Sequence, residues 1–396
     1  MFVYADNAAT TKVSKTALDA MIPFLTEEWG NPSALYSFGR KAADALALAR
    51  ADVAQCLGAA KPREIFFTSG GSESDNQALV TCARLGARKG KRHLISTKFE
   101  HHAVLHTLRS LEKDGFEVTL LDVHENGVVH PEDVAAAIRD DTCAVSVMFV
   151  NNEIGTVQPV REIGAICREK GIIFHTDAVQ AAGHIPIDVE GMNIDMLSIS
   201  GHKFHAPKGV GALYSRKNIP LSVLIEGGGQ ENGKRAGTEN VAGIAALAAA
   251  LKESCADMEV NNAKITAMRD RLLDGLLKIQ HCRLNGDRVK RIPGTIDLCF
   301  EGLEGNGLLL MLDAAGICAS AGSACNSGSV DPSHVLLSLG IPYELAHGAL
   351  RLSIGEYNTE EEIDYLLETI PGVIRSLREQ SPLWKEYESG KRPHLC

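Results

Sequence analysis

One lysine, Lys203, follows Met196-Leu197-Ser198-Ile199-Ser200-Gly201-His202, an apolar run that reads as a buried strand opening into small and polar residues. A lysine held there loses part of its hydration, which lowers the ammonium pKa and frees the amine for Schiff-base chemistry. The same position also suits a strand-end lysine whose stem stays covered while its head reaches water. What surrounds it decides. The strand-like run 64–68 leads into Ser69-Gly70-Gly71-Ser72-Glu73-Ser74-Asp75-Asn76 and then into a helical pattern. Glycines let the backbone approach a ligand, and free amides at a helix start favour an anion such as phosphate. A tight turn capped by Ser72 would use the same residues. A third run, 172–175, continues into Thr176-Asp177-Ala178-Val179-Gln180. That puts a carboxylate at the carboxyl end of a buried strand, where open α/β sheets carry their sites.

An amine, an anion-binding turn and a carboxylate together suit pyridoxal phosphate. Asp177 would pair with the pyridinium nitrogen and keep the ring protonated, so that it acts as an electron sink; taken alone, Asp177 would serve as a helix N-cap. His101, in Glu100-His101-His102, is suited to stack on the cofactor ring and move protons. Adjacent histidines at a helix start also cap or face solvent, and neither has a third group at metal-ligand spacing. Asn152, in Asn151-Asn152-Glu153-Ile154-Gly155, is a donor for the cofactor's phenolic oxygen or a substrate carboxylate, or else part of an Asn-rich turn. Arg351, inside the apolar run 349–354, wants a bidentate anion there, either a substrate carboxylate or an internal acid.

These residues need a scaffold that brings several strand ends together. Short apolar runs at 64–68, 93–96, 117–121, 144–150, 172–175, 196–199 and 211–214 alternate with helix-length segments such as 42–57 and 75–88. That order predicts an α/β fold with a mostly parallel seven-stranded sheet between helices. One long helix is expected over 242–280, then a smaller α+β region with strands near 295–300 and 350–353. A domain boundary near Asp257 divides a large cofactor-binding domain, 13–257, from a small domain made of 1–12 and 258–396.

Composition removes whole classes of function. The chain has 396 residues and a formal charge of −10, with no basic patch, which argues against a nucleic-acid partner. Its longest apolar run, 241–251, is too short and alanine-rich to span a bilayer, and its start has no basic leader, so a cytoplasmic protein without a membrane partner is expected. Ten cysteines without a Cys-x-x-Cys pair exclude the usual zinc frameworks and predict reduced, mostly buried thiols. Cys325 differs. Its neighbours in Ala321-Gly322-Ser323-Ala324-Cys325-Asn326-Ser327-Gly328 offer little to pack, which predicts an exposed loop and a thiol able to act as a nucleophile.

The set as a whole resembles the NifS/IscS cysteine desulfurases. The likeness rests on the segments 69–76, 100–101, 151–155, 175–180 and 200–203, with Arg235-Ala236-Gly237-Thr238-Glu239-Asn240 and the Cys325 segment, whose wording lies nearer the NifS side. Nearly the whole chain is covered. The resemblance implies the fold-type I arrangement of pyridoxal phosphate enzymes, a homodimer, and conversion of L-cysteine to L-alanine with the sulfur leaving as a Cys325 persulfide. It implies that Lys203 forms the Schiff base, Asp177 faces the ring nitrogen, Gln180 bonds the phenolic oxygen, and His101 stacks on the ring. Gly71, Ser72, Ser200 and His202 would hold the phosphate, with Thr238 supplied by the other subunit, and Arg351 would grip the substrate carboxylate. The implied acceptors are an iron–sulfur scaffold protein or a tRNA-thiolation protein. No metal ligand is expected within the chain beyond Cys325 as a transient iron–sulfur ligand shared with a scaffold. Selenocysteine cleavage, another pyridoxal phosphate-dependent lyase reaction, or an aminotransferase is the alternative chemistry. A catalytically idle subunit docking through the 321–328 loop is the alternative of another kind. The chain departs from the family at Tyr36, where histidine is frequent within 30–39, which leaves that position without a role. It departs again at Asn326, where threonine is frequent.

Overall fold

The computed structural model describes residues 1–321 and 331–396; Cys325 and Asn326 lie outside them. The described strands are β1 (Val3–Tyr4), β2 (Ile65–Thr68), β3 (His93–Thr97), β4 (Glu117–Leu121), β5 (Thr142–Ser146), β6 (Ile173–Asp177), β7 (Met196–Ser200), β8 (Gly211–Ser215), β9 (Cys282–Leu284), β10 (Thr295–Phe300), β11 (Ile317–Cys318) and β12 (Ala349–Ser353). Seven of them form one sheet in the order β2-β8-β7-β6-β5-β3-β4. Strands β7, β6, β5, β3 and β4 are parallel, and β8 runs antiparallel to both of its neighbours. Six coincide closely with the runs read from the sequence, while β5 starts two residues before the expected run 144–150 and ends four before its end.

The reason is burial on both faces. Every residue of β3, β5, β7 and β8 is buried, so these strands are continuous apolar or small-residue runs bounded by turns. At the sheet edge, β4 keeps Glu117 and Leu120 exposed. A parallel sheet also directs the carboxyl ends of β6 and β7 to one rim, which brings Asp177 and Ser200 to the same side.

The smaller region is built on an antiparallel sheet in the order β12-β10-β9, with Asp297 opposite Arg351 in register. The N-terminal strand β1 pairs in parallel with β11 of this region. Two of these strands, β10 and β12, match the sequence reading. The two-residue strands β1 and β11 and the three-residue β9 are too short to leave a period-2 signature.

The single long helix expected over 242–280 is instead two helices, Val241–Ala256 and Met258–Leu276. Asp257 separates them, with φ −94° and ψ 1°. The first helix packs Ile244, Leu247 and Leu251 into the core of the seven-stranded sheet. The second packs Ile265, Met268, Leu272 and Leu276 into the apolar cluster of the smaller sheet. Both halves keep the helical period, so periodicity could not reveal the break. The helix expected from Asp75 begins earlier, Gly71–Ala87, because its polar first turn carries no apolar repeat.

A buried ion pair clamps the loop that leads to Thr238. Glu231 accepts from Arg50 at 2.6 and 2.7 Å and from the Phe67 N–H at 2.9 Å, while its own backbone sits at φ +47°. Glu231→Ala would leave the Arg50 guanidinium without its anion and is expected to cost about 3–5 kcal/mol. Urea unfolding would register that as a lower midpoint, and an unchanged midpoint would disprove it. Among the described residues no helix is long and apolar enough to cross a membrane, and each described cysteine is free.

Candidate active site

The strand ends at the rim of the large sheet open onto a cavity of about 440 Å³ lined by Gly71, Ser72, Asp75, His101, Asn152, Asp177, Gln180, Ser200, His202, Lys203 and Arg351, among others. Eleven sequence positions drawn from six separate segments therefore meet in one place, ten of them predicted from the sequence. A cavity of this size suits a cofactor with a small substrate. A larger cavity, about 680 Å³, contains none of the predicted residues.

Lys203 ends the short turn Gly201–Lys203 that follows β7. Its Nζ donates to the Ala8 carbonyl at 2.6 Å and the Ala9 carbonyl at 3.0 Å. The amine is thus held by backbone acceptors in the cavity wall, and it does not snorkel to solvent. The segment supplying those carbonyls was missed by sequence reasoning. Thr11 N–H donates to the His202 carbonyl at 2.9 Å, His202 Nδ1 lies 3.1 Å from Thr10 Oγ1, and Gln180 Nε2 donates to Ala8 at 3.0 Å. Small residues such as Ala8 and Ala9 carry no chemical signal; only their backbone takes part.

Asp177 closes β6 and is buried, with its Oδ1 accepting the Val179 N–H at 2.9 Å. No helix follows it, so it does not act as a helix cap. Burial pushes its pKa up to about 6, against the pull of the Val179 N–H and the Lys203 cation. Asp75, also unforeseen, is buried beside it. Burial and repulsion from Asp177 raise the Asp75 pKa well above its ordinary value, and its Oδ1 has no hydrogen-bond partner among the described residues. It lies one turn into the helix whose start was read only as a phosphate turn.

His101 is the N-cap of the helix His102–Lys113, where its Nδ1 accepts the Ala103 N–H at 3.1 Å. The neutral ring therefore carries its proton on Nε2. Burial and the positive charges around it, Lys203 first, lower its pKa to about 4. Capping and lining the cavity are compatible, and His101 does both.

At the opposite wall, Arg351 of β12 is 2 % exposed and donates to Asp6 Oδ1 at 2.9 Å and to the Asn152 carbonyl at 2.8 Å. Arg351 pairs with an internal acid, as one reading had it, and it also lines the cavity. Its Nε has no hydrogen-bond partner among the described residues. Asn152 offers its backbone carbonyl to Arg351, which leaves the side chain to the cavity lining.

Phosphate would sit where the helix Gly71–Ala87 starts. The N-cap is Gly70 with no side-chain cap, so Ser72 does not cap the turn as one reading had it. A Cβ on Gly71 would meet Val179 Cγ2 at 2.6 Å; only glycine lets the amides approach this rim, beside Ser200 and His202. Pyridoxal phosphate fits the residues present: an anion cradle, a buried acid for the ring nitrogen, and a poised amine across the same cavity.

Thr238 is not on this cavity. It lines a separate depression with Thr68, Ser69, Glu231, Arg235 and Gly237. Cys325 lies outside the described residues, and Tyr36 is exposed and lines no part of the cavity.

Residues 3–366 match the family model described as aminotransferase class-V. The chain is 54% identical over 392 residues to a cysteine desulfurase IscS of Clostridium botulinum (strain Hall), covering 98% of each. Among solved structures it is similar to a NifS-like protein with TM-score 0.89 at 39% identity, covering 95% of this chain and 100% of that one. It is also similar to SspA in complex with cysteine, with TM-score 0.80 at 37% identity, covering 90% of this chain and 100% of that one.

Proposed function

Since the chain belongs to the class-V aminotransferase family, we propose that it is a pyridoxal phosphate-dependent cysteine desulfurase whose cavity at the β6 and β7 ends is the active site. The observation that carries this is the convergence of Lys203, Asp177, His101 and Arg351 on one cavity, in a chain so similar to a cysteine desulfurase. Bound there, pyridoxal phosphate supplies an electron sink for the electron pair of the bond broken at the substrate's α carbon.

The chain's own residues do the rest. Gly71, Ser72, Ser200 and His202 hold the phosphate by amides and hydroxyls at the helix start. Asp177 would hold the ring-nitrogen proton, and Gln180 would donate to the phenolic oxygen. Arg351 pairs with the substrate carboxylate through a guanidinium already oriented by Asp6 and the Asn152 carbonyl. Lys203 would remove the α proton of the bound substrate as a general base. His101, neutral at working pH, moves the proton near the leaving sulfur through Nε2. Cys325 thiolate then bonds to the substrate sulfur as the carbon–sulfur bond breaks and carbon takes a proton. L-cysteine and the Cys325 thiol become L-alanine and a Cys325 persulfide.

Thr238 is read as a contribution to the partner subunit's phosphate site. Its absence from its own chain's cavity supports that homodimer, as do the exposed apolar side chains of Leu25, Trp29 and Leu35. The apolar clusters packed by the two helices either side of Asp257 support a large domain of 13–257 and a small domain of 1–12 and 258–396. An iron–sulfur scaffold or a tRNA-thiolation protein is the acceptor in this reading, and free thiols suit the cytoplasm.

The test is made on purified holoenzyme given L-cysteine. Alanine and sulfide should form together, and Cys325→Ala should cut both at least about 10³-fold while the yellow absorbance of the bound cofactor persists. Full sulfide output from Cys325→Ala would overturn the persulfide step. Preferred turnover of selenocysteine would favour a selenocysteine lyase, and a keto-acid product in place of alanine would favour an aminotransferase.

A further inference from the structure

Away from the cofactor cavity, the C-terminal tail returns to the smaller sheet at Glu301, the residue after β10. Glu301 is fully buried, yet two histidines from distant parts of the chain face it. His394 Nδ1 lies 2.6 Å from Glu301 Oε2, and His281 Nδ1 lies 3.4 Å from the same oxygen. The two imidazoles stack with centroids 3.7 Å apart. The carbonyl oxygen of Cys396 lies 2.8 Å from His281 Nδ1, and the Leu395 N–H donates to the other Glu301 oxygen. His281 holds φ +55°, a left-handed backbone unfavourable to a non-glycine residue. None of these residues lines the active-site cavity.

A carboxylate needs only one charged partner, and the arrangement brings it two imidazoles. Two imidazole nitrogens, a carboxylate and a carbonyl make the mixed nitrogen and oxygen set that zinc accepts. Zinc bonds of roughly 2.0–2.2 Å at tetrahedral angles put ligand atoms about 3.3–3.6 Å apart. The His281–Glu301 separation of 3.4 Å already has that value, and the three side-chain ligand atoms all lie within 4.8 Å of one another. To reach that spacing His394 draws back by about 0.7–1 Å from Glu301 and the Cys396 oxygen by about 0.5–0.8 Å from His281. Arg378, the cation beside the group, directs its donors to the carbonyls of Gln280, His281 and Glu301 and lies over the Trp384 ring.

We propose that His281, Glu301 and His394, completed by the Cys396 carbonyl, bind a divalent transition-metal ion, zinc by preference, which fastens the C-terminal tail to the smaller sheet. Magnesium and calcium would not compete, because imidazole is a poor ligand for either. The ion plays no part in the cofactor chemistry.

Zinc titration of the full-length holoenzyme by calorimetry tests this. A Cys325→Ala, His124→Ala, His130→Ala background removes the loop thiol and the exposed His124, His130 and Asp133 group. One zinc per chain is expected, with binding weakened at least about ten-fold by His394→Ala and again by His281→Ala. Zinc should also slow carboxypeptidase trimming of the tail in the background protein and not in His394→Ala. His394 lies on the tail, so its loss spares the fold, and matching melting curves without zinc check this. No zinc uptake, or equal uptake with and without His394, would overturn the proposal.

Discussion

Lys203→Ala is expected to lower L-cysteine turnover by about 10²–10⁴-fold, the range a positioned general base contributes. The variant should also lose its cofactor on gel filtration, because the amine that holds the cofactor's aldehyde is gone. The basis is geometric. Lys203 Nζ is held by the Ala8 and Ala9 carbonyls at the cavity wall, and these fix where the amine stands. Lys203→Arg keeps the charge and the stem, but a guanidinium cannot give up its proton as an amine does, so it should be as inactive as alanine. A small primary amine added to Lys203→Ala should restore part of the rate. Near-normal turnover in both variants would remove Lys203 from the mechanism.

The second large effect belongs to Asp177→Asn, and its sign depends on whether cofactor is present. With cofactor, asparagine cannot hold the ring-nitrogen proton by charge, and turnover should fall roughly 10²-fold, the worth of one charge-assisted hydrogen bond. Without cofactor the effect on stability reverses. Burial pushes the Asp177 pKa up from 3.8 to about 6, so the folded state resists ionisation of this acid. Folding stability then falls as pH rises from about 4 to 6, and the loss stays in full above that window. It amounts to about 3 kcal/mol at most. Asparagine has no charge to bury. Cofactor-free Asp177→Asn should therefore resist urea better than cofactor-free wild type at pH 8, and no better at pH 4. A difference that does not change with pH would refute this account of Asp177. The site keeps a buried acid that weakens the empty fold and is satisfied only when a cation sits opposite it.

Much of this was legible in the chain because parallel strands buried on both faces must be short apolar runs. Chemistry at their ends follows directly: Lys203 after β7, Asp177 at the end of β6, and the Gly70-Gly71 turn after β2. Other parts left no such trace. Ala8 and Ala9 act through their backbone, and alanine says nothing about where its carbonyl points. Asp75 sits within a helix, where an acid is ordinarily a surface residue, and only burial beside Asp177 gives it meaning. The break at Asp257 was invisible because two helices with one period look like one.

The sequence by itself determined the strands of the large sheet, the residue types at their ends and the family, since these are set by local pattern and spacing. Tertiary structure alone decided which residues share a space. It joined Arg351 to Asp6 and Asn152 across hundreds of positions and kept Thr238 off its own chain's cavity. It also gathered His281, Glu301 and His394 around one carboxylate. The physical reason is that contacts between distant segments follow from how faces bury against each other, and no spacing along the chain encodes that meeting.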